Sequence, residues 1–199
     1  MAGGSSDAAA VLFGMNRMFS LRLSKEELMK RGVKIGADVP YCVMRGTALA
    51  EGIGEQLSQL QPMPECKVLI AKPPVSVSTK FVYENLKLDE DTLHPDIDGL
   101  IERINDGDLP GAAARMGNVL ESVTIPGYPV IARIKEEMIK GGALNAMMSG
   151  SGPTVFGLFD EERLAQQVYH KLRRGDLAKQ VYLTDIYNNT GKMSMKNKK

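Results

Sequence analysis

Three short segments carry residue types that suit phosphate chemistry. The first is Gly3-Gly4-Ser5-Ser6, set directly before the helix-forming run Ala8-Ala9-Ala10-Val11-Leu12-Phe13. Small residues at the head of a helix leave backbone N–H groups without partners, and the helix dipole favours negative charge there. Glycine lets a phosphate come close to the backbone, and the Ser5 and Ser6 hydroxyls can add donors or reach a metal ion. The second segment, Gly36-Ala37-Asp38-Val39-Pro40, holds a carboxylate in a tight loop. The third, Ser149-Gly150-Ser151-Gly152-Pro153-Thr154, is a second glycine loop. Each segment also has a plain structural reading. Ser6 or Asp7 can merely cap a helix, and Asp38 can merely cap the turn before Val39-Pro40.

The elements that must position these segments follow from pattern. A helix is expected from about Asp7 to Phe19, apolar on most sides and in need of cover. Ser24 and Glu27 form a capping box for a second helix, with Leu23 and Leu28 as its hydrophobic staple and Gly32 as its end. An apolar strand is expected from about Tyr41 to Ala50, turning at Glu51-Gly52-Ile53-Gly54-Glu55. Pro62 to Pro64 mark a boundary. A strand at Lys67–Ala71 stops at Pro73-Pro74. Ser78 or Thr79 caps a helix carrying Phe81, Val82 and Leu86. Helical patterns recur near 97–104, 110–121 and 128–140, the last closed by Gly141-Gly142. Strands at 143–148 and 154–159 flank the second glycine loop. A helix over 160–173 and a strand over 180–187 complete the series, and the basic tail from Asn188 reads as a frayed end. This mixture, with two strands meeting at a short turn, predicts an α+β fold.

Composition narrows the function. Lys plus Arg number 25 and Asp plus Glu 24 in 199 residues, so no global basic field calls for nucleic acid or an acidic membrane. No apolar run has the length of a bilayer span, and no basic segment precedes the first apolar run as in a signal peptide. Cys42 and Cys66 have no paired spacing, which suits two thiols in a reducing cytoplasm. His94 and His170 are the only histidines, so a histidine metal site or a Ser-His-Asp triad is not expected.

Taken together, in this order and spacing, the three segments resemble the small-molecule kinases named for galactokinase, homoserine kinase, mevalonate kinase and phosphomevalonate kinase, the GHMP kinases. Ala2–Ala10, Gly36–Pro40 and Val75–Tyr83 are most similar to the branch that acts on a 4-diphosphocytidyl-methylerythritol, a cytidyl diphosphate substrate of isoprenoid precursor synthesis. The resemblance implies the GHMP kinase fold: an incomplete N-terminal nucleotide-binding domain over residues 1–65 and a C-terminal ferredoxin-like α+β domain over residues 66–187. It implies ATP with Mg2+, bound at Met1, Ala2, Gly3, Gly4, Ser5 and Ser6 and at Gly150, Ser151 and Gly152, with Asp38 as catalytic base. Thr79 and Tyr83 would bind substrate, Tyr83 by stacking on the cytosine, although Tyr83 reads equally well as an ordinary half-buried helix residue. No metal ligand can be named beyond a guess at Ser5 or Ser6. Relatives of this kind carry a further half-domain and a lysine upstream, so the 199-residue chain alone is expected to be an inactive, poorly stable fragment. The rival readings are another kinase of the group, of homoserine or mevalonate type, and a non-catalytic chain.

Overall fold

The structure, a computed structural model, describes residues 2–89 and 92–188. Ala2–Pro62 form the body of one compact unit and Met63–Ile186 form the other. The Met1 site assignment and all but the first residue of the expected frayed tail lie outside the described residues.

In the first unit, α1 (Gly3–Met18), α2 (Lys25–Val33) and α3 (Val39–Met44) pack around Ala9, Leu28, Val39 and Val43, and a hairpin of β1 (Ala48–Glu51) and β2 (Gln56–Gln59) follows. The expected capping box is present: the Ser24 hydroxyl accepts from Glu27 N–H and the Glu27 carboxylate accepts from Ser24 N–H. Leu28 is in the core and Leu23 packs against the same cluster, the placement a hydrophobic staple needs. Three expectations fail here. The helix expected from Asp7 begins at Gly3, so Gly3-Gly4-Ser5-Ser6 is its first turn and not a preceding loop. Gly32 does not end α2 but lies inside it, where a Cβ would come within 2.8 Å of Val39 Cγ1. The strand expected from Tyr41 is the helix α3 as far as Met44, with Pro40 in its first turn, where the fixed φ of proline suits a helix start. On α1 only Ala9 is buried, and Val11, Met15 and Met18 are exposed.

The second unit is built on a four-stranded antiparallel sheet in the order β4-β5-β3-β6, from β3 (Lys67–Lys72), β4 (Asn145–Met148), β5 (Val155–Phe159) and β6 (Gln180–Asp185). Helices lie between β3 and β4 and between β5 and β6, which makes the βαββαβ plan of a ferredoxin-like fold. The sheet obeys period 2. Leu69, Ala71, Val155 and Phe159 enter one core with α8 (Val130–Lys140) and α9 (Glu162–Arg174). Their neighbours Val68, Ile70, Phe156 and Leu158 enter a second core with α5 (Ile97–Asn105) and α6 (Leu109–Arg115). Two apolar faces explain why β3 and β5 read as continuous apolar runs. The helix expected over 110–121 is interrupted: α6 ends at Arg115, and α7 (Glu121–Gly127) starts after a bend around Asn118.

Candidate functional site

The site residues expected from sequence are divided between the units. Gly3–Ser6 and Asp38 lie in the first, and Thr79, Tyr83 and Gly150–Gly152 in the second.

The N-terminal end of α1 is open. Its cap residue Ala2 offers no side-chain hydrogen bond, and a Cβ at Gly3 or Gly4 would meet nothing within 4 Å. Helix geometry leaves the first N–H groups, at Gly3 and Gly4, without a helical carbonyl. The Ser6 hydroxyl does not cap the helix. It donates to Gly3 O at 2.7 Å, while Ser6 N–H donates to Ala2 O. The Ser5 hydroxyl takes up no partner among the described residues and is the freer of the two for a ligand.

Asp38 is the N-cap residue of α3, yet its side chain makes no cap hydrogen bond, so the simple capping role considered from sequence is not how it is used. Its place is set by its neighbour. Val39 is 1% exposed and is pressed against Gly32, while Gly36 stands within van der Waals reach of the same side chain. The exposed carboxylate is thus carried on a buried valine plug. Burial, and behind it the charge of Asp38, push the nearby Cys42 thiol pKa up.

In the second unit the glycine loop joins β4 to β5. Gly152 N–H donates to Ser149 O at 3.0 Å and Ser149 N–H to Thr154 O at 2.8 Å. Gly150 and Gly152 have φ of +57° and +88°, a region that favours glycine. The Gly150 and Ser151 N–H groups have no hydrogen-bond partner among the described residues. Successive N–H groups around a left-handed glycine form a concavity suited to anions.

Side chains that sequence reasoning missed fasten this loop. Asn118 Nδ2 donates to Met148 O and to Gly150 O, both at 2.8 Å, and its Oδ1 accepts from Leu120 N–H. The Thr124 hydroxyl, on a side chain 1% exposed, donates to Ser151 O at 3.3 Å. Glu121 accepts Met148 N–H and pairs with Lys135. None of these has a local motif. The signal available was Gly117-Asn118, a pair of poor helix formers inside the helix expected over 110–121.

The loop also reaches α4 (Thr79–Asn85), which Ser78 caps by accepting Phe81 N–H. Thr79 Oγ1 and Ser151 Oγ are 2.8 Å apart. Tyr83 stands one turn further along α4, 61% exposed, while Val82 anchors the helix in the core. The alternative of a half-buried Tyr83 is therefore not met. Asn118 also lines a cleft of about 800 Å3 with Lys87, His94, Arg115 and Ser122, which includes neither Tyr83 nor Thr79.

Among the described residues no group of three or more His, Cys, Asp or Glu side chains could hold a metal, and no helix is long and apolar enough to cross a membrane.

The family model for the GHMP kinases N terminal domain matches residues 1–46, and that for the GHMP kinases C terminal matches residues 86–176. A protein of Lachnospira eligens called 4-diphosphocytidyl-2-C-methyl-D-erythritol kinase is 64% identical over 187 residues, which is 94% of this chain and 65% of that protein. A Lachnoclostridium phytofermentans protein of the same name is 60% identical over 94% of this chain and 64% of its own length. The chain therefore spans slightly less than two thirds of these relatives. Among solved structures, a 4-(cytidine 5'-diphospho)-2C-methyl-D-erythritol kinase matches with a TM-score of 0.76 and 26% identity, over 92% of this chain and 64% of that one. A homoserine kinase from Cytophaga hutchinsonii matches with a TM-score of 0.71 at 19% identity, over 89% of this chain and 62% of that one, a likeness of fold alone.

Proposed function

This chain belongs to the GHMP kinase family, and from that premise we propose that it carries the central machinery of a kinase that moves the γ-phosphoryl of ATP to the 2-hydroxyl of 4-diphosphocytidyl-2-C-methyl-D-erythritol. The observation that carries this reading is the 64% identity, across 94% of the chain, to a relative of that name. In this reading residues 1–65 are part of the nucleotide-binding domain and residues 66–187 the C-terminal domain, and the protein works in the cytoplasm.

Phosphoryl transfer asks a protein mainly for positioning and for charge stabilisation. The open end of α1 supplies backbone N–H groups and a favourable dipole to the ATP phosphates. The Gly150 and Ser151 N–H groups of the glycine loop are likewise assigned to phosphate. Asp38, free of cap hydrogen bonds, orients the substrate hydroxyl and accepts its proton as the oxygen bonds to the γ-phosphorus and ADP leaves. Tyr83 offers an exposed ring to the cytosine, and Thr79 shares its helix. Magnesium fits this arrangement as part of the MgATP substrate, since Mg2+ is commonly held by phosphates with few protein groups. The Ser5 and Ser6 hydroxyls at the α1 end both keep lone pairs free for it, since Ser6 only donates, to Gly3 O.

The test is a chimera in which this sequence replaces the matching stretch of the Lachnospira eligens relative. Offered the cytidyl substrate, homoserine and mevalonate, it is expected to phosphorylate the first. Preference for homoserine or mevalonate would establish the rival kinase, and a folded chimera inactive on all three would establish the non-catalytic reading.

A further inference from the structure

Asn118 lies between α6 and α7, 32 residues before Gly150, and its carboxamide gives one hydrogen to the last residue of β4 and the other to the glycine loop. The orientation of that amide is fixed chemically. Met148 O and Gly150 O can only accept, and Leu120 N–H, on the other side, can only donate. The side chain is therefore a rigid strut with its donor end toward the loop.

A trans peptide unit points its C=O and its N–H in opposite directions. Holding Gly150 O against Asn118 thus turns the Ser151 N–H of the same peptide away from Asn118. The neighbouring peptides behave in the same way, and their outcomes are visible. With Met148 O held by Asn118, Ser149 N–H reaches Thr154 O. With Ser151 O held by Thr124, Gly152 N–H reaches Ser149 O. Ser151 N–H and, one peptide earlier, Gly150 N–H are the two whose opposite direction leads to no partner among the described residues, and Ser151 N–H is the one whose carbonyl is held by Asn118.

We propose that Asn118 is a positioning residue for nucleotide binding, which aims the Ser151 N–H at a phosphate by holding the Gly150 carbonyl from behind. This rests on the reading that the glycine loop meets the ATP phosphates. Asn118 itself touches no ligand. Its effect runs through the direction of one peptide unit, and the two glycines let that unit turn freely once the strut is lost.

The experiment is amide-resolved NMR on the full chain, titrated with ATP, for the unmodified protein, Asn118→Leu and Asn118→Asp. Leu keeps the approximate shape without donors or charge. Asp keeps the shape but turns the donors into acceptors. In the unmodified protein the Ser151 amide should exchange fast when free and shift and become protected with ATP, while Gly152, already bonded to Ser149, changes little. Both variants should bind ATP about tenfold or more weakly, as for loss of a charge-assisted hydrogen bond, and lose the Ser151 response. The β5 amides Val155 and Leu158 report that the sheet is intact. A folded Asn118→Leu protein that binds ATP within twofold of the unmodified one, with the Ser151 response kept, overturns the role of Asn118. An unmodified protein in which ATP shifts neither Gly150 nor Ser151 overturns the underlying phosphate reading. Should the variants fail to fold, the unmodified protein still decides: a response at Gly152 without one at Ser151 contradicts the proposed aim.

Discussion

Thr79 Oγ1 and Ser151 Oγ are hydrogen-bonded at 2.8 Å, so the first residue of α4 is tied directly to the glycine loop between β4 and β5. The two are 72 residues apart, and α4 carries Tyr83. In the proposed function this bond joins a residue assigned to the cytidyl substrate with one assigned to ATP.

The bond is exposed, so its net contribution should lie at the low end for hydrogen bonds. Thr79→Val and Ser151→Ala, singly and together, should show a coupling of about 0.5–1 kcal/mol in a double-mutant cycle of denaturant unfolding. Strict additivity would show that the two hydroxyls meet without consequence.

Tyr83 is surface-exposed and Val82 is the anchoring residue. Tyr83→Ala should therefore leave stability within about 0.5 kcal/mol. If the ring stacks on cytosine, the same change should weaken the cytidyl substrate by about 1–3 kcal/mol and leave ATP affinity in place, read by calorimetry. An unchanged substrate affinity would remove Tyr83 from the site.

The Asp38 loop depends on a close approach. A methyl at position 32 collides with Val39 in the small core of the first unit. Gly32→Ala should destabilise that unit by about 1–3 kcal/mol, as overpacking does. Protease digestion should then cut within 2–62 sooner than within 63–186. Equal susceptibility to the unmodified chain would mean that Val39 moves aside without cost.

Burial, and behind it the charge of Asp185, push the Cys66 thiol up to about 11, against about 8.5 for a free cysteine. A raised thiol pKa means that the folded chain holds its proton longer than the unfolded one. The stability this brings is complete below the unfolded pKa and is lost as pH rises through that of the fold. Below about pH 9, alkylation of Cys66 should be much slower in the folded chain than in urea. Equal rates would show that the thiol is neither buried nor shifted.

The sequence made the second unit legible, because its signals are local. Lys67–Lys72 alternates between two apolar faces, Ser78 caps α4, and a glycine turn separates β4 from β5. The first unit was harder to read. Val39-Pro40-Tyr41-Cys42-Val43-Met44 is a short apolar run that suits strand and helix alike, and Pro40 in its first turn decides for helix. Gly3 and Gly4 have poor helix propensity, yet the first turn of a helix needs few intrahelical donors, so α1 starts earlier than propensity suggests. In the candidate site, the three motif segments were visible. The struts that hold the glycine loop were not, because Asn118 and Thr124 act on carbonyls 27 to 32 residues away.

The central claim is that Asp38 takes the proton from the substrate hydroxyl. It is tested most directly by comparing turnover of 4-diphosphocytidyl-2-C-methyl-D-erythritol by the chimera with and without Asp38→Asn. The account predicts a fall of about 100-fold or more in kcat with ATP affinity nearly unchanged. Full turnover by the Asp38→Asn protein would contradict it, leaving Asp38 as no more than the residue that opens α3.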